Sequence, residues 1–206
     1  MRWAVFAALA FIALAAELSL RPVLMFHTIG GISPSFLACL AVFIAMFAPR
    51  LTALWSCWLL GLLLDLSTPF AASAGSVAGV PGAPGGGAAT YYLIGPYALG
   101  YTFAAYMVLQ MRPMVFRQRA LSIGVMTGLS LLAVALISVA IFVVRSWYAA
   151  DAGIYSTGVS AGSELLRRLG IALYSALVAV PLGWLLLATL PYWGFPTTAH
   201  RRAGRR

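Results

Sequence analysis

The residues able to do chemistry are few, and the most informative ones lie within or beside apolar runs. The chain of 206 residues carries only 13 basic and 4 acidic side chains. Two of the carboxylates end apolar runs, Glu17 the first run and Asp65 the third. An ionisable group placed in hydrocarbon costs about 2.5–3.5 kcal/mol on insertion scales. Each of these carboxylates therefore needs a polar partner or a function.

Asp65 ends the apolar stretch that begins at Gly61. A carboxylate at a helix C-terminus faces the negative end of the helix dipole, so a partner from another segment is expected. Alternatively, Asp65 is a solvated cap of the next turn, or part of a proton or ion relay, although a relay usually has several such groups at different depths. Three arginines share its predicted depth and are candidate partners: Arg21, Arg145 and Arg167. Glu17 lies four residues before Arg21, which favours a local ion pair on one helix face.

Catalysis and metal binding have no support in the sequence. His27 and His200 fall in segments predicted on opposite faces of a membrane, so they cannot share a metal. Cys39 and Cys57 lie inside apolar runs, where cysteine behaves as a small hydrophobic residue. Because no nucleophile, phosphate-loop or zinc-protease motif is present, we expect no enzyme and no cofactor.

The composition excludes a soluble domain. Hydrophobic residues make up 63% of the chain and charged residues 8%, against about 25% charged in soluble proteins. The mean hydropathy is +0.97, which also excludes intrinsic disorder. The net charge of +9 comes from arginines between apolar runs, so membrane topology explains it better than nucleic-acid binding does.

The apolar runs predict an all-α, polytopic membrane bundle with a single domain over 1–206. An uncharged Gly/Pro/Ala-rich outer loop is expected at 67–93, and a basic tail at 199–206. The second run is expected to extend back towards Ile32 and to form a hairpin with the third; a re-entrant pair is the alternative. The first run is also compatible with a signal peptide. The six predicted spans are 3–20, 32–48, 51–66, 94–111, 120–144 and 169–192.

The arginines orient the bundle. With the N-terminus inside, nine arginines fall on the inner side and four on the outer side, and all four acidic residues lie near the outer side. The positive-inside rule therefore predicts that both termini are cytoplasmic. Small residues mark close helix packing, either internal or towards a partner subunit. They form a GxxxG pair and a stripe on the first helix: Gly124 and Gly128, and Ala4, Ala8 and Ala16.

The middle of the chain resembles the bacterial rod shape-determining protein MreD family. The resemblance covers roughly residues 20–120. It is carried by Pro34, by Gly61-Leu62-Leu63-Leu64-Asp65-Leu66-Ser67, by Gly95-Pro96-Tyr97-Ala98-Leu99-Gly100-Tyr101 and by the basic stretch from Arg112 to Arg119. In that family a few residues join the Asp to the following Gly-x-x-Ala-Leu stretch, whereas here the uncharged segment intervenes.

The resemblance implies a non-catalytic inner-membrane subunit of the cell-elongation complex, with a fold like the S-components of energy-coupling-factor transporters. The implied partners are the bitopic protein MreC, the RodA glycosyltransferase with its transpeptidase, and MreB on the cytoplasmic side. The alternative is a vitamin-binding, S-component-like transporter subunit, for which the outer halves hold few polar groups. The candidate structural or interaction residues are Pro34, Gly61, Asp65, Gly95, Pro96, Gly100, Glu17, Arg21, Gly124 and Gly128.

Overall fold

The part of the chain that the structure describes folds as a bundle of six α-helices. A computed structural model describes residues 2–24, 32–67, 70–71, 90–91, 95–114, 120–149 and 161–194. Short 3-10 turns follow the fourth and sixth helices, at Arg112–Met114 and Leu190–Trp193. The all-helical class is confirmed. The elements are α1 (Trp3–Leu24), α2 (Phe36–Phe47), α3 (Arg50–Ser67), β1 (Phe70–Ala71), β2 (Thr90–Tyr91), α4 (Pro96–Met111), α5 (Ala120–Ala149) and α6 (Ala161–Thr189).

Helix α2 is the core of the bundle. All of its residues except Phe47 are buried, and it contacts α1, α3, α4, α5 and α6. This placement follows from its sequence, which has no polar side chain on any face and therefore favours complete burial. The other helices surround α2 and present large apolar side chains outwards, including Phe11, Leu177 and Trp184.

Four of the helices are long and apolar enough to cross a membrane. Within the described ranges these are α1, α3, α5 and α6. Helix α2 has 12 residues and rises only about 18 Å, less than the roughly 30 Å of a hydrocarbon core. The prediction of six spanning helices is thus supported for four of them, with α2 too short to span.

The start of α2 differs from the prediction. The helix begins at Phe36, not near Ile32, because Ser35 has an extended backbone and its side chain accepts a hydrogen bond from the N–H of Ala38. A serine in this position is a helix N-cap, and the residues before it leave the helix. The start of α4 is confirmed, since Gly95 is its N-cap and Pro96 its first residue.

Both ends of the described chain lie at the same end of the bundle. The backbone N–H of Arg2, just before α1, donates to the carbonyl of Trp193, after α6, over 3.1 Å. We call this end the Arg2 end. The ring of Phe43, near the end of α2, packs against that of Trp193 with centroids 5.5 Å apart, so α3, which follows at Arg50, also starts at this end. We call the opposite end, where α3 meets the start of α4, the Asp65 end.

The small residues singled out in the sequence pack in two different ways. A Cβ added to Gly124 would lie 2.8 Å from the carbonyl oxygen of Ala176, and one added to Gly128 would lie 3.1 Å from the Cβ of the same alanine. The GxxxG pair therefore allows α5 and α6 to pack closely inside the bundle. On α1, by contrast, Ala4 and Ala8 are exposed, because its inward face carries Phe6 and Ala10.

A short antiparallel strand pair, which the sequence did not predict, joins the two sides of the uncharged segment. Phe70 pairs with Tyr91, and Ala71 pairs with Thr90. Most of the predicted outer loop, residues 72–89, lies outside the described residues. The pairing nevertheless brings the chain back to the end of α3. The number of residues between the two strands therefore does not determine the relative position of α3 and α4.

This geometry predicts that residues 72–89 can be replaced by a two-residue Asn-Gly turn. Ala71 and Thr90 are direct partners, and Asn-Gly is a favoured two-residue hairpin connection. We expect the shortened chain to remain monodisperse in detergent. Its melting temperature should change by less than about 4 °C, the equivalent of roughly 1 kcal/mol. A shortened protein that aggregates would show instead that the segment supports the bundle.

Candidate functional site

The carboxylate of Asp65, at the end of α3, caps the N-terminus of α4. Its Oδ2 accepts from the backbone N–H groups of Gly95 and Ala98, each over 3.0 Å, and its Oδ1 accepts from that of Tyr97 over 3.2 Å. The side chain is fully buried. All three donors belong to the first turn of α4, where N–H groups lack partners within the helix.

The sequence at the start of α4 makes this external cap necessary. Gly95 occupies the N-cap position with a φ of 133° and has no side chain that could accept a hydrogen bond. Pro96, the next residue, has no N–H to satisfy. Asp65 therefore supplies the acceptor that an N-cap serine or aspartate would normally provide.

Asp65 has a partner from another segment, as expected, and this partner is the backbone at the start of α4. The positive end of the α4 dipole and its unpaired N–H groups form a ready anion site, which offsets the unfavourable position of the carboxylate at the C-terminus of α3. Arg167 is exposed, and the side chains of Arg21 and Arg145 lie outside the described residues. The partners of Asp65 among the described residues are therefore backbone donors of α4, and the predicted contacts with Arg21 and Arg145 lie outside those residues.

Gly61 permits the close approach that this cap requires. A Cβ at Gly61 would lie 2.6 Å from Cα of Ala98 and 2.7 Å from the carbonyl oxygen of Tyr97. Since Gly61 lies one turn before Asp65, both face α4. We call the contact of Gly61 and Asp65 with residues 95–98 the α3–α4 joint. Gly100 faces elsewhere, since a Cβ there would lie 3.0 Å from Cγ1 of Val134 on α5.

Glu17 caps α2 in a similar way. Its Oε2 accepts from the backbone N–H of Leu37 over 2.9 Å and from the hydroxyl of Ser35 over 3.3 Å. Pro34, which is buried, immediately precedes this cap. The Arg21 side chain, and with it the expected Glu17–Arg21 ion pair, lies outside the described residues. The carboxylate itself is directed at a neighbouring helix.

Hydroxyl groups from two more helices lie beside Glu17 and Ser35 and form a polar cluster with them. The N–H of Ser35 donates to Oγ of Ser175 on α6 over 3.0 Å. The Ser35 hydroxyl also shares a hydrogen bond of 3.4 Å with the Tyr101 hydroxyl of α4. Four helices therefore meet at the N-terminus of α2, in what we call the Glu17 cluster: Glu17, Ser35, Tyr101 and Ser175.

Arg112 caps the opposite end of α2. Its Nε donates to the carbonyl of Ala45 over 2.6 Å, and its Nη2 donates to the same carbonyl and to that of Ala48 over 2.5 Å. A cation is favourable there because carbonyls at a helix C-terminus lack partners and carry the negative end of the dipole. Sequence reasoning placed Arg112 only in a basic inner loop and missed this role, since nothing near it in sequence indicates α2.

The arrangement is suited to holding helix ends. Three charged side chains, from α1, α3 and the end of α4, each hydrogen-bond to the backbone at an end of another helix. Among the described residues no group of three or more His, Cys, Asp or Glu residues could hold a metal. The two thiols are buried and donate to carbonyls, Cys39 to Ala179 and Cys57 to Ala41.

Comparisons of the chain with protein-family models, with curated proteins and with solved structures found no match. The geometry of the helix ends therefore carries the functional argument.

Substituting Asp65 with Asn should destabilise the protein without preventing its insertion. The amide has one acceptor oxygen in place of two, and its NH2 group would face backbone donors. We expect a loss of about 1–3 kcal/mol, as for a buried donor left unpaired, measured by unfolding in detergent. Ser67→Ala is the matched control, because the bond of the Ser67 hydroxyl among the described residues is local, to the carbonyl of Leu64. Equal stability of Asp65→Asn and wild type would show that the cap is dispensable.

Substituting Arg112 with Ala should also destabilise the bundle. The carbonyls of Ala45 and Ala48 would lose their charged donor, at a cost of about 1–3 kcal/mol. Arg50→Ala provides the control, since Arg50 is an exposed arginine at the same end of the bundle. Thermal unfolding of both variants in the same detergent separates the loss of the cap from the loss of one positive charge. Similar melting temperatures for the two variants would contradict the capping role.

Proposed function

We propose that this protein is a non-catalytic subunit of the bacterial cell-elongation complex, in the inner membrane. In this proposal it supports peptidoglycan synthesis and cell shape by holding an MreC-like bitopic protein. The complex would also contain RodA with its transpeptidase, and MreB on the cytoplasmic side. The bundle acts as a rigid platform, and the partner's membrane helix docks on its surface.

The α3–α4 joint is the observation that carries this proposal. The two stretches that resemble the MreD family are separated by the uncharged segment, yet Gly61 and Asp65 of the first meet Gly95 and Ala98 of the second. Direct contact between the two family-like stretches supports the resemblance more strongly than their two separate sequences do. The function of the joint is to fix the angle and spacing of two helix ends.

The orientation belongs to the same proposal. The bundle places Arg2, Arg50 and Arg112 at the Arg2 end, and the remaining arginines of the 112–119 stretch and of the basic tail follow helices that finish there. In this proposal the Arg2 end faces the cytoplasm, because the positive-inside rule favours arginine-rich segments on that side.

The exposed stripe on α1 is the docking surface that we favour. Small residues allow helix backbones to approach closely in a membrane, and Ala4 and Ala8 are exposed. Helix α1 is also the least buried of the four long helices, with 11% of its span buried. A second helix could therefore lie along α1 without displacing any described helix of the bundle.

The vitamin-binding alternative requires a cavity of a different size. Small-molecule sites usually enclose about 300–1,000 Å³. A cavity that α2, α3, α4 and α5 line among the described residues measures about 10 Å³, which is too small for such a site.

Co-expression with the MreC-like protein of the same genome tests the proposal. The tagged chain should retain this protein through purification in mild detergent. Ala8→Leu should reduce the retained amount several-fold, because the larger side chain separates the helix backbones. Ala188→Leu, an equal change at an exposed position of α6, should not.

Native mass spectrometry of the same preparation distinguishes the alternative. A stoichiometric small molecule on the purified chain, with no MreC-like protein retained, would overturn the platform proposal and favour a transporter subunit.

A further inference from the structure

The side chain of Arg2 is held in place where the two ends of the described chain meet. Its backbone N–H donates to the carbonyl of Trp193 over 3.1 Å. Its side chain runs beside Gly194, since a Cβ added to that glycine would lie 3.7 Å from Cγ and 3.8 Å from Nε of Arg2. Gly194 has a φ of 61°, a left-handed conformation that glycine adopts without strain. The turn after α6 therefore positions the stem of Arg2, while the residue as a whole stays exposed.

Two helices place Arg2 at the surface of a membrane. The apolar span of α1 begins at Trp3, and that of α6 ends at Trp193. Arg2 and Gly194 are the next residues outward along the chain. The two spans run in opposite directions and finish beside each other, so both assign the same depth to Arg2. Lipid headgroups occupy the layer immediately outside the hydrocarbon core, which is where this guanidinium then lies.

The charge around Arg2 calls for an anion from outside the chain. The carboxylates that the structure describes, Glu17 and Asp65, bind helix N-termini elsewhere in the bundle. Arg50 and Arg112 add positive charge at the same end as Arg2, and the sequence after α6 contains four arginines and no acidic residue. Arginine binds phosphate oxygens through two parallel N–H donors. A phosphate group is therefore the complementary partner.

Aromatic residues next to Arg2 favour a lipid as the source of that phosphate. Trp3 and Tyr192 are exposed, and tryptophan and tyrosine prefer the headgroup level of a membrane. The Trp3 ring makes an edge-to-face contact with Phe6, with centroids 5.7 Å apart. A ring at this depth can contact the glycerol and upper acyl chain of a lipid. We propose that Arg2, positioned by Gly194, forms a binding site for the headgroup of one anionic phospholipid.

Native mass spectrometry of the full chain in detergent, with lipid added stepwise, tests the proposal. The first phosphatidylglycerol should bind more tightly than phosphatidylcholine. Arg2→Ala should weaken the binding of phosphatidylglycerol about five-fold, because an arginine near an anionic surface contributes roughly 1 kcal/mol. Arg50→Ala is the matched control, since it removes an exposed arginine at the same end and leaves the same net charge. This control should bind phosphatidylglycerol as the wild type does.

Three results would overturn the proposal. Equal weakening by Arg2→Ala and Arg50→Ala would show that the lipid responds to net charge alone. Unchanged binding in Arg2→Ala would place the lipid elsewhere, and equal binding of the two lipids would show that the anionic headgroup is not recognised. Arg2→Gln, which keeps a polar side chain without the charge, should bind as weakly as Arg2→Ala. Both variants should fold, because the bond from Arg2 to Trp193 uses the backbone, and their melting temperatures without lipid check this.

Discussion

The structure depends on satisfying the ends of a helix that terminates inside the bundle. Helix α2 is too short to carry its terminal N–H and C=O groups out to water, and its N-terminus lies against Ser175, midway along α6. Unsatisfied backbone groups cannot be left in an apolar interior. Glu17 at one end and Arg112 at the other supply charges of the sign that the helix dipole favours. The surrounding helices are positioned by the need to deliver these two side chains.

The same solution appears at the α3–α4 joint, where Asp65 replaces the missing cap of α4. In both cases a carboxylate from one helix binds the N-terminus of another, so one interaction stabilises the carboxylate and satisfies the backbone. This explains how two carboxylates can be accommodated inside an apolar bundle. It also gives the Glu17 cluster and the joint a common function, which is to hold helices at fixed relative positions. A bundle held in this way suits a protein whose proposed role is to present a surface.

Several features of this fold follow from local sequence, while others do not. The six apolar helices and the start of α4 at Gly95-Pro96 were predictable, because hydrophobic runs and N-terminal proline act within a few residues. A partner from another segment was predictable for Asp65 from its position at a helix end. The identity of that partner was not, because a charge count considers side chains and overlooks backbone N–H groups. Arg112 was missed for the related reason that its acceptors lie more than sixty residues away.

The sequence by itself determined that this is a helical membrane-type protein with few ionisable groups, each in need of compensation. Composition and periodicity are enough for that conclusion, since the costs of exposing apolar surface and of burying charge do not depend on the fold. Only the tertiary structure decided which helix would be central, which end each charge would cap, and that Gly124 and Gly128 face α6 while Ala4 and Ala8 face outwards. These outcomes depend on contacts between segments that are distant in sequence. The type of a residue, such as a small residue or a carboxylate, does not by itself indicate which of those segments it contacts.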